Sequence, residues 1–203
     1  YSDCFHLFKR ISISFICFSA PSSLFIFAHT LFPDSGTHRA GRFQRLELFS
    51  TALIRDASAV YFSGGNPYYL AQTIEGTRFW HVLLEELDRG VAYVGCSAGV
   101  ACLTERTYDS DTDDFEEVFK PGLAYTRGVL FGPHWDVLDT WVTGAREAIV
   151  ASLGPDEVLV GLDERTAIVG DGASWEVRGV GSVHVIAGGV TAGQTWSSTT
   201  APS

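Results

Sequence analysis

Residues 91–100 read VAYVGCSAGV, an apolar run closed by Gly95, Cys96, Ser97, Ala98 and Gly99. The run shows no polar alternation, so it reads as a strand buried on both faces, the kind found inside a parallel sheet. The pattern G-x-S-x-G sits at its end, and GVACL starts a helix. A nucleophile on a tight strand-to-helix turn is held in a strained backbone with neighbouring chain pressed close. Glycines two positions before and after it make room for that approach. The helix start then places N–H groups and the positive end of its dipole where an oxyanion develops. In this pattern the central residue projects into the site. Ser97 is therefore the candidate nucleophile, and Cys96 turns away into the sheet or the packing behind it.

Helix and strand signals alternate outward from this turn. GRFQRLELFSTALIRDA (41–57) spaces Phe43, Leu46, Leu48, Leu53 and Ile54 as an amphipathic helix. SAVYFSGG (58–65) is a short strand that stops at Gly64-Gly65. Pro67 starts a helix through YYLAQTIEG, and RFWHVLLEELDRG predicts a second one ending at Gly90. VLDTWVTGAREAIVASLG (137–154) predicts a further helix, with EVLVGLD (157–163) a strand after it. Beyond Asp163, short β segments alternate with Gly-rich turns and predict antiparallel hairpins. The expectation is one α/β domain over residues 1–203. It is a three-layer sandwich with a mostly parallel central sheet and a C-terminal β-hairpin region.

Composition narrows the function. Hydrophobic residues make up 46% of the 203 and charged ones 19%, which describes a folding chain with a real core. A net charge of −10 offers no basic stripe for a nucleic-acid partner. There is no C-x-x-C pair and no H-E-x-x-H, so neither a metal site nor another cofactor is expected. The scattered cysteines Cys4, Cys17, Cys96 and Cys102 read as free thiols of a cytoplasmic protein. Residues 11–33 are uncharged and follow Lys9 and Arg10, in the manner of a signal peptide or membrane segment. Five serines and two prolines interrupt that stretch, so buried strands are the expectation and no membrane partner is implied. Residues 1–40 remain atypical in texture, and the oligomeric state is left open.

A serine nucleophile needs a base. Of the six histidines, His81 falls inside a predicted helix and His184 inside a terminal hairpin strand. His134 ends the apolar strand VLFGP, at the C-terminal edge where open parallel sheets form their sites. Glu164, at the end of EVLVGLDE, can orient it. Asp136, Asp109 and Asp111 compete for that role, the last two within an acidic run that reads as a solvated loop.

GGN at 64–66, GCSAG at 95–99, Pro133-His134 and GLDERTAIV at 161–169 occur in an order that resembles the peptidase E/cyanophycinase family of serine peptidases. The resemblance covers about residues 45–195. It implies a sheet similar to class I glutamine amidotransferases, also flavodoxin-like, and a Ser-His-Glu triad of Ser97, His134 and Glu164. Gly65 and Ala98 would then supply the oxyanion-hole N–H groups, with Asn66 and Arg146 as substrate-binding residues. The order Ser, His, Glu differs from α/β-hydrolases, which run Ser, acid, His. Residues 1–40 do not match the family's first strand and helix. The family's aspartyl dipeptidases carry G-x-T-R after the histidine; here VLDTWVTGAREAI offers Arg146 in a different surrounding, and the Arg-Gly-Arg of cyanophycinases is missing. The expected activity is therefore serine exopeptidase or dipeptidase action on small peptides, Asp-X or broader. Two alternatives accompany it: an amidotransferase-like or thiol hydrolase using Cys96, or a non-catalytic binding relic.

Overall fold

Short apolar runs become the parallel strands. The computed structural model describes residues 25–28, 52–112, 117–170, 174–187 and 194–197. Strands β1 (Phe25–Ala28), β2 (Ala59–Phe62) and β3 (Ala92–Gly95) form a parallel sheet in that order, with Phe62 opposite Gly95. The uncharged amino-terminal stretch thus contributes one edge strand, and the remainder of residues 1–40 lies outside the described residues. β4 (Arg106–Tyr108) and β5 (Phe119–Pro121) make an antiparallel pair. β6 (Val129–Pro133) and β7 (Val158–Leu162) run parallel with Pro133 opposite Leu162. After Asp163 the chain turns antiparallel. β8 (Thr166–Gly170) pairs with β9 (Trp175–Gly179), while β10 (Ser182–Ala187) joins β7 on one side and β11 (Gln194–Ser197) on the other. The architecture is α/β with mixed sheets.

Local chemistry sets the helix ends. In α1 (Pro67–Ile74) the Asn66 side chain accepts from the Tyr69 N–H at 3.1 Å, and Pro67 occupies the first turn, where its missing donor costs nothing. Thr77 caps α2 (Arg78–Arg89), which stops at Gly90 with φ 107°. Of the helix expected over 41–57, residues 52–55 are helical, with Ile54 fully buried; Phe43, Leu46 and Leu48 lie outside the described residues.

The helix expected over 137–154 is instead two. Following the four-residue α3 (Ala98–Ala101) in chain order, they are α4 (Leu138–Trp141) and α5 (Ala145–Ala151). Val142 is extended and Gly144 takes φ 78°, so the β-branched pair Val142-Thr143 and the glycine end one helix before the next begins. Asp139 bridges the break, accepting from the Arg146 N–H at 3.0 Å and from Arg146 Nε at 2.7 Å. Those two bonds, the backbone one foremost, hold the Asp139 carboxyl below its ordinary range.

One core joins the two sheets. Val60, Phe62 and Tyr93 from the first pack in a single cluster with Phe131, Val160 and Leu162 from the second, around Leu83, Val100 and Leu103. The carboxyl ends of β2, β3, β6 and β7 thereby converge. Among the described residues no helix is long and apolar enough to cross a membrane.

Glu157 ties β7 to the β4 strand. Its two carboxylate oxygens accept from Arg106 Nε at 2.7 Å and Nη2 at 2.8 Å, and the guanidinium also lies 4.3 Å from the Phe119 ring centre. The Arg106 bonds hold the Glu157 carboxyl below its ordinary range against an opposing burial effect. A depressed carboxylate stabilises the fold above its unfolded pKa and loses that contribution as pH falls through the folded value. Glu157→Gln is expected to cost about 1–2 kcal/mol at pH 7, a difference that shrinks toward pH 3. Urea unfolding at both pH values measures it; an equal cost at each would overturn the assignment.

Candidate active site

The loop after β3 folds as the glycines require. Ser97 takes φ 53° and ψ −111°, a backbone state that costs a non-glycine residue about 1–3 kcal/mol and that surrounding packing must hold. A Cβ on Gly95 would lie 2.6 Å from the Gly99 carbonyl oxygen, and one on Gly99 would collide with the Phe62 carbonyl. The chain is therefore pressed on itself at one glycine and on the neighbouring strand at the other. Tyr93 supports the turn from below. It stacks on Phe62 at 4.9 Å between ring centres and donates its hydroxyl to the Gly99 carbonyl. Burial first, and then the Cys102 thiol nearby, raise that hydroxyl well above the ordinary phenol range, so it stays a donor.

His134 lies one residue beyond β6 and Glu164 two beyond β7, on turns that the strand pairing sets side by side. His134 has φ 60°. Its Nε2 is 2.8 Å from Ser97 Oγ, and its Nδ1 is 2.6 Å from Glu164 Oε1. Two further bonds clamp the turns together: Trp135 N–H to the Leu162 carbonyl at 2.9 Å, and Glu164 N–H to Asp136 Oδ1 at 2.8 Å. Between the strands, the buried Trp135 ring fills the space that Gly161 leaves; a Cβ there would come within 2.7 Å of it.

Asp136 thus holds the backbone of Glu164, while Asp109 and Asp111 are engaged elsewhere. Asn66 Nδ2 donates to Asp109 Oδ1 at 2.6 Å and to Asp111 Oδ2 at 2.9 Å. Asn66 is in this way both the cap of α1 and the anchor of the acidic loop. Gly64 lies against the serine: a Cβ on it would be 3.6 Å from Ser97 Cβ. The adjacent Gly65 N–H and the Ala98 N–H have no acceptor among the described residues. Arg146 is not drawn to this group. It pairs with Asp139 and lines a shallow surface hollow with Trp135, Glu147, Val150 and Ala151, which Ser97, His134 and Glu164 do not line.

The other candidates have structural partners. His81 lies in α2 with Nδ1 2.7 Å from the Thr77 carbonyl, and His184 Nε2 is 2.9 Å from Asp163 Oδ1. Cys96 is half-buried beside Tyr61, whose hydroxyl is raised by burial and then by that thiol. Cys102 is fully buried, which pushes its thiol up to about 12. Sequence reading passed over Tyr93 and Trp135. The glycines of VLFGP and VLVGL, one on each paired strand, were the available signal for a large ring packed across them.

The sequence model of peptidase family S51 matches residues 42–177. The chain belongs to that family. A peptidase E from Nostoc sp. (strain PCC 7120 / SAG 25.82 / UTEX 2576) is 27% identical over 186 residues, covering 85% of this chain and 74% of that protein. The crystal structure of a peptidase from an acI-B1 actinobacterium superposes with a TM-score of 0.64 at 29% identity, over 75% of this chain. The match spans 62% of that peptidase's own length. A putative peptidase E from Listeria monocytogenes EGD-e shares the fold, with a TM-score of 0.55 at 18% identity, over 78% of this chain and 87% of that one.

Proposed function

We propose that this chain is a serine exopeptidase that hydrolyses small peptides through Ser97, His134 and Glu164. The carrying observation is the unbroken hydrogen-bond chain from Ser97 Oγ through the two His134 nitrogens to Glu164 Oε1. In the proposed reaction Ser97 Oγ attacks the scissile carbonyl as His134 Nε2 takes its proton. The Gly65 and Ala98 N–H groups receive the oxyanion. His134 then protonates the leaving amine, and an acyl-enzyme remains. Water, deprotonated by His134, releases the acid. Glu164 holds the ring in orientation and stabilises the imidazolium.

The same reading takes the two parallel strand groups as parts of one mostly parallel central sheet between helical layers, in a cytoplasmic protein. A thiol mechanism is disfavoured because Cys96 faces Tyr61 while Ser97 faces the histidine. Incubation with a fluorophosphonate followed by peptide mass mapping tests the proposal. Label on Ser97 is expected; label on Cys96 alone, or none, would overturn it.

Substrate charge follows from Arg146. Its pairing with Asp139, away from Ser97, supports a preference broader than Asp-X. The expected kcat/KM for Asp-Leu exceeds that for Ala-Leu by less than about a hundredfold, roughly 2.7 kcal/mol. A larger ratio that collapses in Arg146→Ala would show that the arginine leaves Asp139 to hold the substrate carboxylate.

A further inference from the structure

Trp141 ends α4 with 60% of its surface exposed, and Val142 beside it is 43% exposed. Among the described residues Val180 is the other large apolar side chain left exposed, and a tryptophan presents more apolar area to water than a valine. Its position is particular: the indole lies 5.1 Å from the His134 ring centre, tilted by 54°. Trp141 is the last residue of α4, and the chain turns extended at Val142 directly after it.

The reaction geometry says which part of a substrate comes there. His134 Nε2 must face Ser97 Oγ to take the proton and then the leaving nitrogen to return it. The leaving residue therefore departs on the histidine side of the scissile bond. A side chain on that residue meets whatever flanks the imidazole.

We propose that Trp141 is a specificity-determining residue that receives the side chain of the leaving-group amino acid and favours large apolar ones. This rests on the hydrolase reading above. An indole face partly covered by a leucine side chain removes apolar area of both from water, which glycine cannot do. Contacts of one or two methylenes in such a site discriminate by about tenfold or more.

The test compares Ala-Leu with Ala-Gly in the wild type, Trp141→Ala and Trp141→Phe, alongside fluorophosphonate labelling of Ser97 and a thermal midpoint for each. In the wild type kcat/KM for Ala-Leu should exceed that for Ala-Gly by about tenfold. In Trp141→Ala the ratio should fall to within about threefold, with Ser97 still labelled, and Trp141→Phe should retain an intermediate ratio. An unchanged ratio, or an equal loss on both dipeptides, would overturn the proposal, the second because it marks Trp141 as a mere support for the imidazole. Failure of the wild type to take label on Ser97 would instead overturn the hydrolase reading itself.

Discussion

Ser97→Ala is expected to lower peptide hydrolysis by about 10⁴-fold or more, as loss of the nucleophile does in a triad enzyme. Its thermal midpoint should stay near that of the wild type. The substitution deletes one hydroxyl, and alanine inherits the same positive φ without relief. Ser97→Gly separates chemistry from strain: it is equally inactive but should be more stable than Ser97→Ala by about 1 kcal/mol, because only glycine takes that backbone freely. Cys96→Ala should keep most activity. Turnover assays with calorimetry on the three variants check this, and an active Ser97→Ala beside a folded, dead Cys96→Ala would reverse the assignment of the turn.

Glu164→Gln is the second large effect. The amide keeps the shape but cannot stabilise the imidazolium of the proposed reaction, and it can present its NH₂ to His134 Nδ1 and favour the wrong tautomer. Removing the acid of a triad costs up to about 10⁴-fold in kcat. The Glu164 side chain is 42% exposed, so water screens part of its charge, and a loss of about 10²–10³-fold is expected here. Asp136→Asn should cost only a few-fold, since the amide oxygen still accepts the Glu164 N–H. If Asp136→Asn proved the more damaging in kcat, the orienting carboxylate would be Asp136.

Much of this was legible in the chain because it is steric or periodic. Gly95 and Gly99 mark the tight turn, Gly90 and Pro67 mark helix ends, and uninterrupted apolar runs mark the parallel strands. The ends of those runs placed His134 and Glu164 on one sheet edge. The helix break at Val142 was harder to see, since Leu138, Ala145, Ile149 and Val150 keep a helical period across it. The extended Val142 and the Asp139–Arg146 bonds that make two helices are tertiary choices, which override a weak propensity signal. Asp136 was readable only as a competing acid. That its oxygen serves a backbone N–H depends on how β6 and β7 are registered, which no spacing along the chain reveals. The acidic loop was similarly opaque: its partner, Asn66, is 43 residues from Asp109.

The two glycines around Ser97 answer to different neighbours, one to the turn's own carbonyl and one to Phe62 on another strand. Neither constraint involves the serine hydroxyl. Descendants of this chain that lost the serine would still need both glycines to fold, so G-x-A-x-G would persist as the fossil of a working enzyme. In a sequence survey, then, the glycines testify to ancestry and architecture, and only the residue between them testifies to catalysis.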